Sequence, residues 1–208
     1  MVVTDESTQS SFSHEQIAKM AIAGGADMIQ FRDKHRPASE LVRIAASIRE
    51  ICTRTGARFI VNDRVDVAMA VNADGVHVGQ RDIPVEAARR LLGPDKLIGG
   101  SASTLEAAMA LQNDGADYVG FGHVFNTESK IKGYPPVGLN VLERVARELT
   151  IPVIAIGGIS AASVESVVAT GVHGIAVISA VCASGDPTAA AAEIKGAILS
   201  HDTTGHQS

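Results

Sequence analysis

Three cations and two carboxylates stand out in this chain by type and placement. Arg32 and Lys34 fall in QFRDK (30–34), Lys130 ends the polar run GFGHVFNTESK (120–130), and Asp63 and Asp82 close VND and GQRD. Asp63 and Asp82 could share a hard divalent cation, because Mg²⁺ takes one or two carboxylates and completes its shell with waters and substrate phosphates. Lysine and arginine beside such an ion describe a diphosphate site. Taken singly, Arg32, Lys34, Asp63 and Asp82 would serve equally well in surface ion pairs. Their grouping is what points to chemistry. His123 poses a separate question: an imidazole with a pKa of about 6.5 suits proton transfer at neutral pH. It suits equally a polar loop residue hydrogen-bonded to backbone.

For these groups to meet, the fold must bring positions 30, 63, 82 and 130 to one place. Short β-branched runs recur at 2–4 (VVT), 27–31, 58–62, 75–79, 96–100, 117–122, 152–157 and 174–179. Helix-like segments lie between them, at 14–25, 39–56, 84–93, 104–115, 140–150, 161–171 and 187–200. They carry apolar residues three and four apart and often end at glycine. GGADMIQF, NADGVHVG, DGADYVGF and TGVHGIAV repeat one junction: helix end, tight turn, buried strand.

Eight such units in 208 residues predict an α/β single domain, a (β/α)8 TIM barrel spanning 1–200, with HDTTGHQS (201–208) as a disordered tail. An open doubly wound sheet would place a glycine-rich phosphate loop after its first strand, and VVTDESTQSS has no glycine.

A barrel gathers its chemistry at the carboxyl ends of the strands. In chain order those ends supply Thr4 and Asp5; Gln30, Arg32 and Lys34; Asn62 and Asp63; His77, Gln80 and Asp82; and Ser101. They continue with His123 and the loop to Lys130, then Gly157 and Gly158, then Ile178 and Ser179. IAIGGIS and GIAVIS lie where such barrels hold a phosphate on backbone N–H groups, although the glycines could simply make the turn. The mouth therefore reads as a metal-assisted diphosphate site beside a monophosphate site. That pairing suits joining a diphosphate-activated molecule to a phosphorylated acceptor.

Composition sets the outer limits. Hydrophobic residues make up 46% and aromatic residues 3%, with no Trp, so the core must be aliphatic. A net charge of −5 argues against a general nucleic-acid binder. No apolar run approaches the ~20 residues of a membrane span, and Met1 leads straight into VVTDES, so the expectation is a cytoplasmic protein without membrane contact. Cys52 and Cys182 are expected as reduced, buried thiols.

Jointly, QFRDK (30–34), VNDRVDVA (61–68), ADGVHVGQRD (73–82), GGSAST (99–104), TESK (127–130), PPVGL (135–139), IPVIAIGGI (151–159) and AVISA (176–180) resemble the thiamine phosphate synthase family along nearly the whole chain. The resemblance implies a transferase that condenses 4-amino-2-methyl-5-hydroxymethylpyrimidine diphosphate with a carboxylated thiazole phosphate, releasing pyrophosphate and CO₂. It implies that Gln30, Arg32, Lys34, Asn62, Ser101 and Lys130 hold the diphosphate, that Asp63 and Asp82 ligate Mg²⁺, and that Thr127, Ser129, Gly158, Ile178 and Ser179 hold the thiazole phosphate. A homodimer is implied in the same way.

The chain departs from that pattern where His123 and Asn126 replace prolines, Ser129 a threonine, and Ser103 a histidine. GHVF instead resembles the sister family of metal-independent thiazole tautomerases, in which His123 would move the proton. A non-catalytic ligand sensor on the same barrel would not need the Asp63/Asp82 pair. A phosphosugar isomerase would need a strand-end Glu, and none is evident. Among the other histidines, His77 is expected either at the mouth or in the core. His14, His35 and His173 are expected at the surface or in turns, and His201 and His206 in the tail.

Overall fold

Parallel strands must hide both faces, and the strand runs of this chain are apolar enough to do so. The computed structural model describes residues 1–9, 11–127, 133 and 135–204. Eight strand–helix units follow one another: β1 (Val2–Thr4), α1 (His14–Ala23), β2 (Met28–Phe31), α2 (Ala38–Thr55), β3 (Arg58–Asn62), α3 (Val65–Ala70), β4 (Gly75–Val78), α4 (Val85–Leu92), β5 (Leu97–Ala102), α5 (Leu105–Asn113), β6 (Tyr118–Phe121), α6 (Gly138–Glu148), β7 (Val153–Ile156), α7 (Val164–Val168) and β8 (Gly174–Ala176), followed by α8 (Ser179–Cys182) and α9 (Pro187–Thr204). All strand pairs are parallel and run in sequence order from β1 to β8. The ring closes where Val3 N–H donates to Val177 O at 2.9 Å and Val177 N–H to Met1 O at 3.2 Å.

The barrel and its strand positions agree with expectation to within a few residues. Two helices carried no periodic signal: α3 has six residues and α8 four, too short to repeat a 3.6-residue period. The final helix runs through Thr204, beyond the boundary expected at 200. Among the described residues, no helix is long and apolar enough to cross a membrane.

Alternation along each strand divides the burial into two layers. Ile29, Phe31, Phe59, Val61, Val76, Val78, Ile98, Val119 and Phe121 join the helices in one apolar cluster with Ile17, Ile44, Ile48 and Leu142, so that three phenylalanines share the expected aliphatic core. Gln30, Ile60, His77 and Tyr118 are buried but lie outside that cluster, on the inward face. Cys52 and Cys182 are free and buried, as expected, and burial pushes both thiols up to about 11.

The repeated junction has a structural meaning at the amino-terminal rim. Asp74, just before β4, accepts from Phe59 N–H of β3 at 2.7 Å and pairs with Arg49 at 2.8 Å. Asp117, just before β6, accepts from Ile98 N–H of β5 at 2.6 Å and pairs with Arg89 at 2.6 Å. His173, before β8, uses Nδ1 to accept from Val153 N–H of β7 at 3.3 Å. Each junction thus pins the start of the preceding strand. Arg89 also reaches Lys96 O at 2.6 Å and Gly115 O at 3.2 Å, stitching two junctions with one guanidinium fork.

Lysine cannot reproduce that fork. Arg89→Lys is expected to cost about 1–3 kcal/mol and lower the melting temperature by several degrees. Turnover should be unchanged, because this rim is remote from the mouth. A melt and an activity assay on one preparation check both halves.

Candidate active site

At the carboxyl rim, carboxylates place the cations. Asp5, buried at the end of β1, accepts from Ser7 N–H at 2.9 Å and pairs with the Arg32 guanidinium. Lys34 Nζ lies 3.0 Å from Asp63 Oδ2. Asp63 itself adopts a left-handed backbone (φ 62°), and its N–H donates to His77 O at 2.8 Å, extending the β3–β4 ladder past its last pair. Asp82 closes the turn after β4 by accepting from Gly79 N–H at 2.8 Å. Burial, followed by a hydrogen bond that the protonated Asp82 carboxyl donates to the facing Asp63 and by the charge of Asp63, pushes the Asp82 carboxyl above the usual range, against the Gly79 amide and Lys34.

Two carboxyl groups that crowd each other in this way form a site that a proton or a cation would relieve. Among the described residues, no group of three or more His, Cys, Asp or Glu assembles a cage for a metal. The pair, with Asp63 half-buried and Asp82 exposed, nevertheless fits Mg²⁺, which keeps waters and takes substrate phosphates.

Gln30 is buried, with its amide donating to Met1 Sδ at 3.4 Å. Asn62 is half-buried and pairs in register with His77. Ser101 Oγ lies 2.8 Å from His77 Nε2, and His77 Nδ1 lies 3.2 Å from the Tyr118 hydroxyl. His77 therefore reaches up from the interior to touch the mouth.

On the opposite side, Thr127, Gly158, Ile178 and Ser179 line one narrow cleft with Ile156 and Gly157. Gly157 is required there: its φ is +103°, and a Cβ would come within 2.4 Å of His123 Cβ. The β6 loop lies directly on these glycines, with Val124 N–H donating to Ile156 O and Phe125 N–H to Gly157 O, each at 3.0 Å. His123 is buried in that contact, its Nδ1–H donating to Phe125 O at 3.0 Å. Ser129 and Lys130 lie outside the described residues.

The sequence reading missed a polar cluster behind the mouth. His14 is buried rather than at the surface, with Nδ1 2.8 Å from Thr4 Oγ1 and Nε2 3.3 Å from Asp33 Oδ2. The signal was available, since His14 shares the face of Ile17, Ala18 and Ala21. Burial lowers the His14 pKa, against the pull of Glu6 and Asp33. Asp33, between the two QFRDK cations, accepts from His35 N–H at 2.8 Å and Arg36 N–H at 3.1 Å and pairs with the Arg36 guanidinium. Arg36 in turn reaches Glu6 at 2.7 Å. Burial would raise the Asp33 carboxyl, but these amides and the guanidinium outweigh it and hold it at about 2. The loop carrying Arg32 and Lys34 is thereby fixed to α1.

The family model described as thiamine monophosphate synthase matches residues 1–181. The chain belongs to the thiamine monophosphate synthase family. A family relative named thiamine-phosphate synthase, from Methanocella arvoryzae, is 49% identical over 206 residues, covering 99% of this chain and 97% of its own. Another of that name, from Chlorobium luteolum, is 48% identical over 190 residues, covering 91% and 88%. Among solved structures of the family, thiamine phosphate pyrophosphorylase from Pyrococcus furiosus superposes with a TM-score of 0.87 at 38% identity, over 96% of this chain and 95% of that one.

Because Asp33 is held well below its ordinary pKa of 3.8, its contribution to stability is full above that value and fades as pH falls toward about 2. Asp33→Asn should melt below the parent at pH 6, with the gap closing between pH 4 and pH 2. A gap independent of pH would rule out the ionic role.

Proposed function

We propose that the protein is a thiamine phosphate synthase, joining 4-amino-2-methyl-5-hydroxymethylpyrimidine diphosphate to thiazole phosphate with release of pyrophosphate, or to its carboxylated form with release of pyrophosphate and CO₂. The observation that carries this reading is the 49% identity to a protein named thiamine-phosphate synthase, sustained over 99% of the chain. Gln30, Arg32, Lys34, Asn62 and Ser101, with the Asp63/Asp82 pair, lie at the carboxyl ends of their strands and support it.

In this reading Gln30, Arg32, Lys34, Asn62, Ser101 and Lys130 bind the diphosphate. Asp63 and Asp82 hold Mg²⁺, which would supply positive charge to the phosphate oxygens when bound. Thr127, Ser129, Gly158, Ile178 and Ser179 seat the thiazole phosphate in the cleft across the mouth, and orientation of the two substrates lowers the barrier. The carbon–oxygen bond to pyrophosphate breaks, the thiazole nitrogen bonds to the pyrimidine methylene carbon, and Arg32, Lys34 and Lys130 take up the charge left on the departing oxygen. Residues 1–200 are the catalytic unit, and 201–208, which begin within α9, add nothing to it. The setting is a cytoplasmic enzyme acting as a homodimer on small-molecule substrates.

His123 is the point of contact with the thiazole tautomerases. Its Nδ1–H bond to Phe125 O gives it a structural part in the β6 loop. His123→Ala should keep thiamine phosphate formation near the parental rate.

Incubating purified protein with pyrimidine diphosphate, thiazole phosphate and Mg²⁺ should yield thiamine phosphate; folded protein that yields none sinks the proposal. Asp82→Ala and Lys130→Ala should each reduce turnover by about 10²–10³-fold, the usual cost of losing one charge-stabilising group. Near-parental rates in both would place the diphosphate elsewhere.

A further inference from the structure

Inside the barrel, β4, β5 and β6 align His77, Gly99 and Tyr118 in one row. Two strands carry rings and the strand between them carries none. A Cβ at Gly99 would meet the Tyr118 ring at 2.1 Å, and one at Gly120 would lie 2.9 Å from His77 Cε1. The two glycines make room for the rings to meet, their centroids 5.5 Å apart. Ser101, paired with Gly120, stands two residues further along β5 toward the mouth.

Hydrogen-bond bookkeeping decides where the protons sit. Among the described residues, the buried Tyr118 hydroxyl has one partner, His77 Nδ1 at 3.2 Å. A buried donor left unmade costs more than an unused lone pair, so the phenol donates and His77 Nδ1 accepts. The imidazole proton then resides on Nε2, which donates to Ser101 Oγ at 2.8 Å. With its oxygen accepting from below, Ser101 has its own hydroxyl proton to give toward the mouth.

We propose that Tyr118 and His77 are positioning residues that set the proton register of Ser101, so that its hydroxyl donates to an anionic oxygen of the diphosphate. This rests on the reading of the mouth given under Proposed function. Neither ring needs to touch substrate. The Tyr118→His77→Ser101 chain orients a donor in advance, which avoids reorganisation when charge develops on the leaving oxygen.

The test begins with the ring nitrogens of the unmutated, ¹⁵N-histidine-labelled protein, His77 being assigned by its absence from the His77→Gln spectrum. The expected pattern is a protonated Nε2 and an unprotonated Nδ1. The reverse tautomer, an averaged pair or a doubly protonated ring overturns the proposal, whether or not the protein makes thiamine phosphate.

Kinetics supply the second arm. Tyr118→Phe keeps the ring but removes the donor; it should disturb the His77 pattern and lower kcat about tenfold, the worth of one hydrogen bond, with KM for thiazole phosphate unchanged. His77→Gln, which retains an N–H donor, should keep more activity than His77→Leu at matched thermal stability. Parental kcat in Tyr118→Phe, or equal activity in the two His77 variants, overturns the positioning role. If the parent makes no thiamine phosphate, the functional reading fails while the nitrogen pattern still reports the register.

Discussion

Two hydrogen bonds between the first strand and the eighth turn a sheet into a ring, Val3 N–H to Val177 O and Val177 N–H to Met1 O. Once closed, each strand is held by a neighbour on both sides and leaves no edge exposed. The eight carboxyl ends then share one rim, and residues as far apart in sequence as Asp5 and Arg32, or Asp63 and Asp82, come within bonding range. The apolar layer between strands and helices supplies the burial that keeps the ring intact, and the buried polar side chains lie outside it.

In a chain with a net charge of −5, the mouth cations Arg32 and Lys34 are each held by a carboxylate. Asp5 holds Arg32, Asp63 holds Lys34, and Asp33 with Glu6 holds Arg36. These pairs fix the long side chains near the positions where an anion would take over the role of the carboxylates. The entropy of ordering them is met during folding rather than at binding.

Much of this was legible in the sequence for identifiable reasons. Strand runs such as RFIVN and DYVGFG are apolar without helical spacing, and the repeated junctions marked the barrel's period. Strand-end residues were legible because the fold assigns them a common face. The rest depended on contacts that leave no local trace. His14 opens a polar-looking helix yet faces inward; Tyr118 is hidden in an apolar strand; α3 is shorter than two turns. The repeat itself was visible, but not that its Asp74, Asp117 and His173 side chains pin the strand before them. His123 drew attention by its type, whereas its setting is a backbone hydrogen bond in a loop packed on Gly157.

The scarcity of aromatic residues has an optical consequence. With no Trp and two Tyr in the chain, near-ultraviolet absorption and emission come almost wholly from two phenols. One of them, Tyr118, is hydrogen-bonded to His77 directly beneath Ser101. The barrel thus carries an intrinsic chromophore under its own mouth, and a change of hydrogen bonding at Ser101 is transmitted through one imidazole to a group that can be read without a label.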